Sequence, residues 1–381
     1  MKVKLAVLVA AVVATVSCGA DEAGGRPEVG REQVAAALND AVRLGYPGGQ
    51  AVIVDRGHTW RVSAGVGDLA TGAPFAEDAR LRIASNTKTF VATVLLQLVA
   101  EGKVELDAPV GRYLPGVVRG PGTDENRITL RNLLQHTSGL PEYVAEFGTP
   151  PTPWQVDFLA EQTRWQIADL PAILRTALAA PAAFEPGTTW AYTNTNYVVA
   201  GMVIERVTGA PLGAEITRRV IEPLGLRDTY FPEADEVDLR GPHVSGYSEV
   251  RGERVDYTRQ NVSAAGAAGA MVATGADLAR FFDALLGGEL LPPAQLAEMK
   301  NARPISENNP LAYGLGLMRI QMPCGLEFWG HNGGIPGTLT YAGVVPATGR
   351  AVTVALNQDF TDPERSPLPG RVLAAAMCAD E

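Results

Sequence analysis

The sequence predicts an α/β fold, with an antiparallel sheet flanked by helices and an all-α subdomain. Strand-like segments, with alternating or continuous apolar residues bounded by Gly and Pro, lie near both ends of the 381-residue chain. Helical patterns fill the middle, about 107–288. This order indicates one α/β domain that both ends of the chain complete and that an all-α insertion interrupts. A ligand cleft is expected between the two parts.

The N-terminus has the pattern of a secretory signal, because two lysines precede an apolar run at 5–16 and small residues follow it. The run is shorter than the roughly 20 residues that span a bilayer. Residues 1–20 are therefore expected to direct export, to the extracellular space or the cell envelope. Two alternatives stay open: cleavage after Ala20, or lipoprotein processing that leaves a lipid anchor on Cys18. The Gly-rich stretch 21–31 is expected to be a flexible tether.

Periodicity and turn residues define the elements in order. Residues 32–44 have apolar positions at helical spacing, and 50–67 predicts two strands joined by a turn at 56–57. The strongly apolar stretch 87–100 predicts a buried helix that Gly102 ends. The further predicted helices are 130–136, 154–180, 197–208, 276–286 and 368–376, and the further strands are 311–321, 326–331, 338–345 and 351–357.

Composition excludes several functional classes. With 42 acidic against 32 basic residues and a net charge of -10, the chain has no basic stripe for a nucleic-acid backbone. None of its four histidines has zinc-ligand spacing, and the chain has no Gly-x-Ser-x-Gly elbow, phosphate loop or dinucleotide fingerprint. We expect no metal, no cofactor and no nucleic-acid partner, and a monomer that acts on a small-molecule or peptide substrate.

Ser85 and Lys88 form the first candidate catalytic pair. They lie three residues apart at the start of a predicted helix, so that both side chains share one face. A desolvated lysine there would be neutral near pH 7 and would accept the serine proton during attack on a carbonyl. The helix N-terminus would favour the negative charge that develops on the substrate oxygen. The alternative is an N-cap serine with a solvated lysine.

Two later motifs complete a three-part site. Tyr192 and Asn194 occur in a Tyr-x-Asn loop before a helix, where the phenol could relay a proton and the amide could hold a substrate amide. We expect Lys88 to bias this phenol towards the phenolate. The alternative for Asn194 is a turn residue that caps the next helix. The third motif is 331–334, His-Asn-Gly-Gly, at a strand end where glycines would let a substrate lie close to the backbone.

Cys324 and Cys378 are the two cysteines of the body of the protein. Two cysteines in an exported chain suggest one disulfide, with two buried free thiols as the alternative.

Three further stretches accompany these motifs: LRNLLQHTSGL at 130–140, PLGLRDT at 223–229 and YGLGL at 313–317. Together the motifs resemble the serine β-lactamase and penicillin-binding superfamily. The similar branch holds class C β-lactamases, D-alanyl-D-alanine carboxypeptidases of actinomycetes and related esterases. The resemblance covers about 32–378 and implies the serine β-lactamase/DD-peptidase fold and one serine hydrolase domain over 32–381.

The resemblance also implies roles for the matching positions. These are Ser85 as nucleophile, Lys88 as base, Tyr192 as proton relay, Asn194 as contact to the substrate amide, and His331, Asn332, Gly333 and Gly334 as third-motif residues around the substrate. It implies an oxyanion hole from the backbone N–H groups of Ser85 and Gly334, and a structural role for His136. Cys324 and Cys378 are similar in spacing to the disulfide-bonded pair of the actinomycete carboxypeptidase.

One departure from the family pattern concerns the clamp for a terminal carboxylate. In the carboxypeptidase an arginine and two threonines form it, and the matching positions are Met318, Asn332 and Gly334. Arg319 is adjacent to the first of these but would point to the other face of a regular strand. Three functions stay open: a D-alanyl-D-alanine carboxypeptidase-like enzyme that also reacts with β-lactams, a β-lactamase or esterase, and a non-catalytic penicillin-binding protein.

Overall fold

The computed structural model describes residues 26–55, 57–147, 149–307, 309–359 and 368–378. The predicted signal at 1–20, with Cys18, lies outside the described residues. The first helix, α1, runs from Arg26 to Arg43, so the predicted tether is wrong for residues 26–31. The Gly-rich composition of the stretch concealed a helix start, and proline in a first turn does not prevent one.

An antiparallel eight-stranded sheet forms the frame of the molecule. Its first strand β1 pairs with its last strand β14, from Gly49↔Leu356 to Val54↔Ala351, so the two ends of the chain complete one sheet as predicted. In spatial order the strands are β2 (His58–Gly65), β1 (Gly48–Asp55), β14 (Arg350–Leu356), β13 (Thr338–Val345), β12 (Glu327–Ile335), β11 (Met318–Gln321), β10 (Leu311–Tyr313) and β9 (Arg303–Pro304).

Helices cover both faces of this sheet. α1 and α12 pack against one face of the sheet. α2 and α10 lie on the other face, which is the side of the sheet next to most of the other helices. After α1 the helices are α2 (Thr87–Ala100), α3 (Leu130–Leu134), α4 (Glu161–Trp165), α5 (Leu170–Ala177), α6 (Thr195–Thr208), α7 (Leu212–Ile216), α8 (Glu222–Leu224), α9 (Gly266–Gly269), α10 (Gly275–Leu286), α11 (Pro293–Lys300) and α12 (Leu368–Met377).

The segment 107–288 is not entirely helical, which corrects the all-α prediction. It contains short strands of two to four residues, too short for an alternating pattern to show in the sequence. These strands form three two-stranded ladders, one of them with a strand that precedes the segment: β4 (Arg119–Gly120) with β5 (Thr123–Asp124), β6 (Tyr247–Val250) with β7 (Glu253–Asp256), and β3 (Arg80–Arg82) with β8 (Val272–Thr274).

Two further predicted elements are divided in the structure. The strand expected at 311–321 is the hairpin β10–β11, because Gly316 has a φ of +70° and turns the chain. The helix expected over 154–180 is the two short helices α4 and α5. In contrast, β12 continues past His331 to Ile335, so the whole third motif lies on a strand.

The central helix α2 explains where the site can form. Eleven of its 14 residues are buried, Lys88 among them, so the helix passes through the core as predicted. Its N-terminus lies against β12 and β13 through the turn that carries Ser85. The fold therefore buries the first turn of α2 at the junction of sheet and helices.

Within the described ranges, no helix is long and apolar enough to cross a membrane.

Candidate active site

Ser85 lies in a tight helical turn, Ala84–Asn86, immediately before α2. Ala84 has a φ of +48°, a left-handed conformation that is unfavourable for alanine. The Asn86 amide holds the turn in place by donating to the Ile83 carbonyl (3.0 Å) and to Thr340 Oγ1 on β13 (2.8 Å). The serine is thus fixed to the sheet while its own side chain stays partly exposed.

Gly333 allows this turn to approach the sheet. A Cβ at Gly333 would lie 2.3 Å from the Ile83 carbonyl oxygen and 3.0 Å from the Ala84 Cβ. The glycine was predicted to admit a substrate, but its nearest neighbour is the turn that carries the nucleophile. Any side chain there would push Ser85 away from β12.

Lys88 is fully buried, with 0% of its surface exposed. Its Nζ donates to Ser85 Oγ (2.9 Å), Asn194 Oδ1 (2.7 Å) and the Ala268 carbonyl (2.7 Å). Burial lowers the pKa of Lys88 to about 7, and the charge of Glu142 opposes part of that shift. The lysine is therefore not solvated, which excludes the alternative drawn from the sequence, and its amine can exchange a proton with Ser85 near neutral pH.

Asn194 stands at the N-cap position of α6, but its side chain makes no capping hydrogen bond. Its Oδ1 instead accepts from Lys88, and its Nδ2 donates to Glu142 Oε2 at 3.2 Å. The backbone N–H of Asn194 also donates to Glu142 Oε2, at 2.7 Å. The amide orientation is thus set by the Lys88 amine on one side and the Glu142 carboxylate on the other.

Glu142 is a member of the site that the sequence did not reveal. Its Oε1 accepts from the Val144 N–H (2.8 Å), so the carboxylate receives three N–H donors in all, and it stays partly exposed. Burial raises the pKa of Glu142, while these hydrogen bonds and the Lys88 charge oppose the rise. It lies 52 residues before Asn194, and no spacing rule connects the two.

Tyr192 is half-buried beside the pair, with its ring centroid 4.9 Å from Lys88 Nζ. Burial raises the pKa of Tyr192 well above its usual value, and a hydrogen bond with Ser85 opposes only part of the rise. The expected bias towards the phenolate is therefore wrong, because desolvation outweighs attraction to a lysine that is itself close to neutral. Tyr192 is a phenol and can donate a proton.

His331 lies beneath the cleft, with 1% of its surface exposed. Burial, and then the charge of Lys88, lower its pKa to about 3, so the ring is neutral. Its Nδ1 donates to the Asn332 carbonyl, and its Nε2 accepts from the Tyr313 hydroxyl at 2.8 Å. Both nitrogens are thus engaged within the protein, and direct contact of His331 with a substrate stays a prediction.

The second half of β12 lies beside the turn that carries Ser85. β11 pairs with β12 only over 327–330, so 331–335 have β13 on one side and, among the described residues, no strand on the other. Asn332 is partly exposed and Gly334 is exposed at this edge. The edge can offer backbone groups to a substrate, as an oxyanion hole at Gly334 would require.

The positions that match a carboxylate clamp carry no cation. Met318 is buried and packs in the core beneath α1 and α12. Arg319 pairs in register with Trp329, lies 5.9 Å from that ring and 3.7 Å from Glu327, and so faces the other side of β11, as predicted. Asn332 and Gly334 complete the clamp positions without adding a charge.

Cys324 and Cys378 form the predicted disulfide. It joins the β11–β12 turn to the residue after α12. Within the described residues, no group of His, Cys, Asp or Glu could hold a metal ion.

A buried lysine beside a serine, with a phenol and an amide close by, is an arrangement typical of serine hydrolases. The family model described as Beta-lactamase matches residues 31–377. The chain belongs to this family, as the sequence motifs implied.

Two solved structures are similar over nearly their whole length. A D-stereospecific amidohydrolase from Streptomyces sp. is 39% identical, with a TM-score of 0.82 over 91% of this chain and 98% of that one. The D-amino acid amidase from Ochrobactrum anthropi SV3, complexed with L-phenylalanine amide, is 29% identical, with a TM-score of 0.80 over 92% and 98%. Both are hydrolases of amide bonds by name.

Curated relatives include an esterase, EstB from Burkholderia gladioli, 36% identical over 53% of this chain and 51% of its own length. A putative D-alanyl-D-alanine carboxypeptidase from Escherichia coli K12 is 26% identical over 73% of this chain and 69% of its own. The chain thus spans about half the length of the esterase. The relatives support a hydrolase, but their names differ in the type of bond that is hydrolysed.

Proposed function

We propose that this protein is a serine amidase and esterase that forms an acyl-enzyme on Ser85 with small D-aminoacyl amides and esters bearing a free amine. The observation that carries the proposal is the Glu142 carboxylate, held 3.2 Å from the Asn194 amide that faces Lys88. An amine on the carbon next to the reacting carbonyl would lie at this end of the cleft. A partly exposed carboxylate there would attract an ammonium group and disfavour an anion.

The clamp positions support the same choice of substrate. A peptide with a terminal carboxylate would bring a negative charge to Met318, Asn332 and Gly334, and none of these three residues carries a positive charge. Uncharged leaving groups, such as ammonia from an amide or an alcohol from an ester, do not need a cation at these positions. The names of the two similar structures, a D-stereospecific amidohydrolase and a D-amino acid amidase, support the D-configuration.

The geometry supports the following order of steps. Lys88 in its neutral form accepts the Ser85 proton as Oγ attacks the substrate carbonyl. The N–H groups of Ser85 and Gly334 would hold the oxyanion, and the Tyr192 phenol would give its proton to the leaving amine or alkoxide. The phenolate so formed is next to Lys88, which can return the proton. Water then releases the acid by the reverse sequence.

A D-alanyl-D-alanine carboxypeptidase that also reacts with β-lactams is the second candidate. The free edge of β12 favours it, because an extended peptide could pair with 331–335 as an added strand. The relative named as a putative carboxypeptidase is consistent with it. The lack of a cation at the clamp positions argues against it.

Hydrolysis of three matched substrates distinguishes the candidates. We expect kcat/KM to be highest for D-phenylalanine amide and at least tenfold lower for its N-acetyl derivative, which lacks the ammonium charge. An N-acyl-D-alanyl-D-alanine peptide should be hydrolysed most slowly. Preference for the N-acylated peptide, with a lasting benzylpenicillin adduct, would instead establish the carboxypeptidase. Ser85→Ala is the control for all three.

We also propose that the protein is exported, on the basis of the N-terminal pattern alone. Intact mass of the protein recovered from its own cells would decide between cleavage after Ala20 and a lipid on Cys18. A full-length cytoplasmic protein would contradict export.

A further inference from the structure

We propose that His136 is a positioning residue of the acyl-transfer centre, which fixes Tyr192 and Asn194 against Ser85 and Lys88. The inference rests on the proposed acyl chemistry at Ser85, and it goes beyond the structural role that the family resemblance implies. His136 itself does not reach the reacting atoms. It holds the loop that carries Tyr192 and Asn194, and these two residues are the ones proposed to reach the reacting atoms.

Two hydrogen bonds connect His136 to this loop, and a third contact reaches Asn196 in the first turn of α6. The His136 carbonyl accepts from the Ala191 N–H at 3.0 Å. Its ring Nδ1 accepts from the Thr193 N–H at 3.2 Å and lies 3.1 Å from the Asn196 amide nitrogen. Thr193 stands between Tyr192 and Asn194, so the ring anchors the backbone between the two candidate site residues.

The tautomer of His136 follows from its partners. The Thr193 N–H can only donate, so Nδ1 must accept and the ring proton must lie on Nε2. Burial, followed by the charges of Lys88 and His331, lowers the pKa of His136 well below its usual value, so the ring stays neutral. Nε2 has no hydrogen-bond partner within the described residues. The acceptor at Nδ1 is therefore the part of the ring that the loop uses.

The same ring also supports the phenol directly. Its centroid lies 4.2 Å from that of Tyr192, with the planes 33° apart. Tyr313 also packs against the His136 ring, edge-on with the centroids 4.8 Å apart. Tyr313 in turn donates to His331 on β12. The side chain of Tyr192 is thus held between His136 and the elements that carry Ser85 and His331.

The backbone of His136 restricts which residues can replace it. Its φ of +59° is in the left-handed region, which asparagine and histidine tolerate better than most residues. Asparagine also places its Oδ1 near the position of a histidine Nδ1. Asparagine can therefore keep the acceptor without the ring, whereas phenylalanine keeps the ring without the acceptor.

These two substitutions form the test. His136→Phe should leave Thr193 without its acceptor and release the loop, so that kcat for D-phenylalanine amide falls about 100-fold, as for a displacement of about 1 Å. KM should change by less than about threefold, because the loss is in transition-state alignment. His136→Asn should restore kcat to within about fivefold of the parent. Loss of equal size in both variants would overturn the acceptor role.

A double-mutant cycle with Tyr192→Phe separates positioning from general damage. If His136 acts through Tyr192, then His136→Phe should reduce kcat by less than about threefold once the phenol is already absent. Full multiplication of the two losses would overturn the positioning of Tyr192 by His136. Should His136→Phe fail to fold, His136→Gln, whose longer side chain displaces the acceptor, takes its place in the same cycle.

Failure of the proposed function gives a different result. The acyl chemistry would be refuted if the parent protein released no p-nitrophenol from p-nitrophenyl acetate and carried no acetyl group on Ser85. Active parent protein with an additive cycle would refute only the role of His136.

Discussion

Two regions of the same cleft are built in opposite ways. Around Lys88 the side chains are densely connected: its amine has three acceptors within 2.9 Å, and one of these, Asn194, is itself held by Glu142. Around Met318 the corresponding positions hold a buried thioether, an amide and a glycine, and the adjacent Arg319 guanidinium is on the opposite face.

The difference separates chemistry from selectivity. Acyl transfer requires a serine, a desolvated base and a proton donor at fixed distances, and any loss there is costly. Recognition of a leaving group requires complementary charge, which can change without disturbing the base. The first region brings a serine, a buried lysine and a phenol together, and the three matching positions of the second region carry no charge. Under the proposed function, donors with a neutral leaving group should therefore be preferred.

Ser85→Ala should have the largest effect. Removing the nucleophile should lower kcat for every amide and ester substrate by at least about 10⁴-fold, as loss of a serine nucleophile does elsewhere. Unchanged thermal unfolding would serve as the control, because the serine side chain is small and partly exposed. Residual turnover near the parent rate would show that the reaction does not take place at Ser85 and Lys88.

Lys88 should be nearly as sensitive, and in a pH-dependent way. Because burial lowers its pKa to about 7, the neutral amine increases as pH rises, so kcat/KM of the parent should climb through pH 7. Lys88→Arg keeps the positive charge but cannot lose its proton, and it should lose about 10³-fold. Measurement of kcat/KM from pH 5 to pH 9 tests both statements. A profile flat across this range would contradict a titrating base.

Glu142→Gln tests the electrostatic link between Lys88 and the part of the site where the substrate amine is proposed to bind. It should lower kcat/KM for D-phenylalanine amide by roughly 10- to 100-fold, the value of one charge-assisted hydrogen bond. The N-acetyl substrate, which has no ammonium group, is the matched control and should change by less than about threefold.

The same substitution should move the acid limb of the pH profile to lower pH. The Glu142 charge raises the pKa of Lys88, so its removal leaves burial less opposed and the pKa falls further. Equal losses for both substrates with no shift of the limb would mean that Glu142 only supports the fold around Asn194.

The smallest effect is expected in the uncharged region. Introducing hydroxyl groups with Asn332→Thr and Gly334→Thr should raise kcat/KM for an N-acyl-D-alanyl-D-alanine peptide by no more than about tenfold, since neutral hydrogen bonds contribute little without a cation. D-phenylalanine amide serves as the reference substrate. A gain of a thousandfold would show that the cleft lacks only hydroxyls, and that the missing cation does not matter.

Local patterns carried most of what the sequence could predict. Ser85 lies in the helical turn that leads directly into α2, where Lys88 lies, so three residues of spacing were enough to predict that their side chains meet. The sheet assembled from both chain ends, the buried helix α2 and the disulfide were also predicted. In each case either short-range periodicity or a resemblance across the whole chain supplied the information.

The features that the sequence did not predict depend on contacts between distant residues or on burial. Glu142 meets Asn194 through the fold alone, and a single glutamate after Pro141 has no distinguishing pattern. The protonation of Tyr192 follows from desolvation, which sequence spacing does not report. The break between β10 and β11 depends on the conformation of Gly316. The contact of Gly333 with the turn that carries Ser85 also depends on the fold, and its contact with a substrate stays a prediction.

The most direct test of the central claim is the site of acylation. The protein is mixed with D-phenylalanine p-nitrophenyl ester, quenched with acid within the first turnover, and analysed by intact mass and peptide mapping, with Ser85→Ala treated in parallel. We predict one D-phenylalanyl group on Ser85 and none on the variant. An unmodified Ser85 in protein that releases p-nitrophenol, or the same adduct on the variant, would contradict the account.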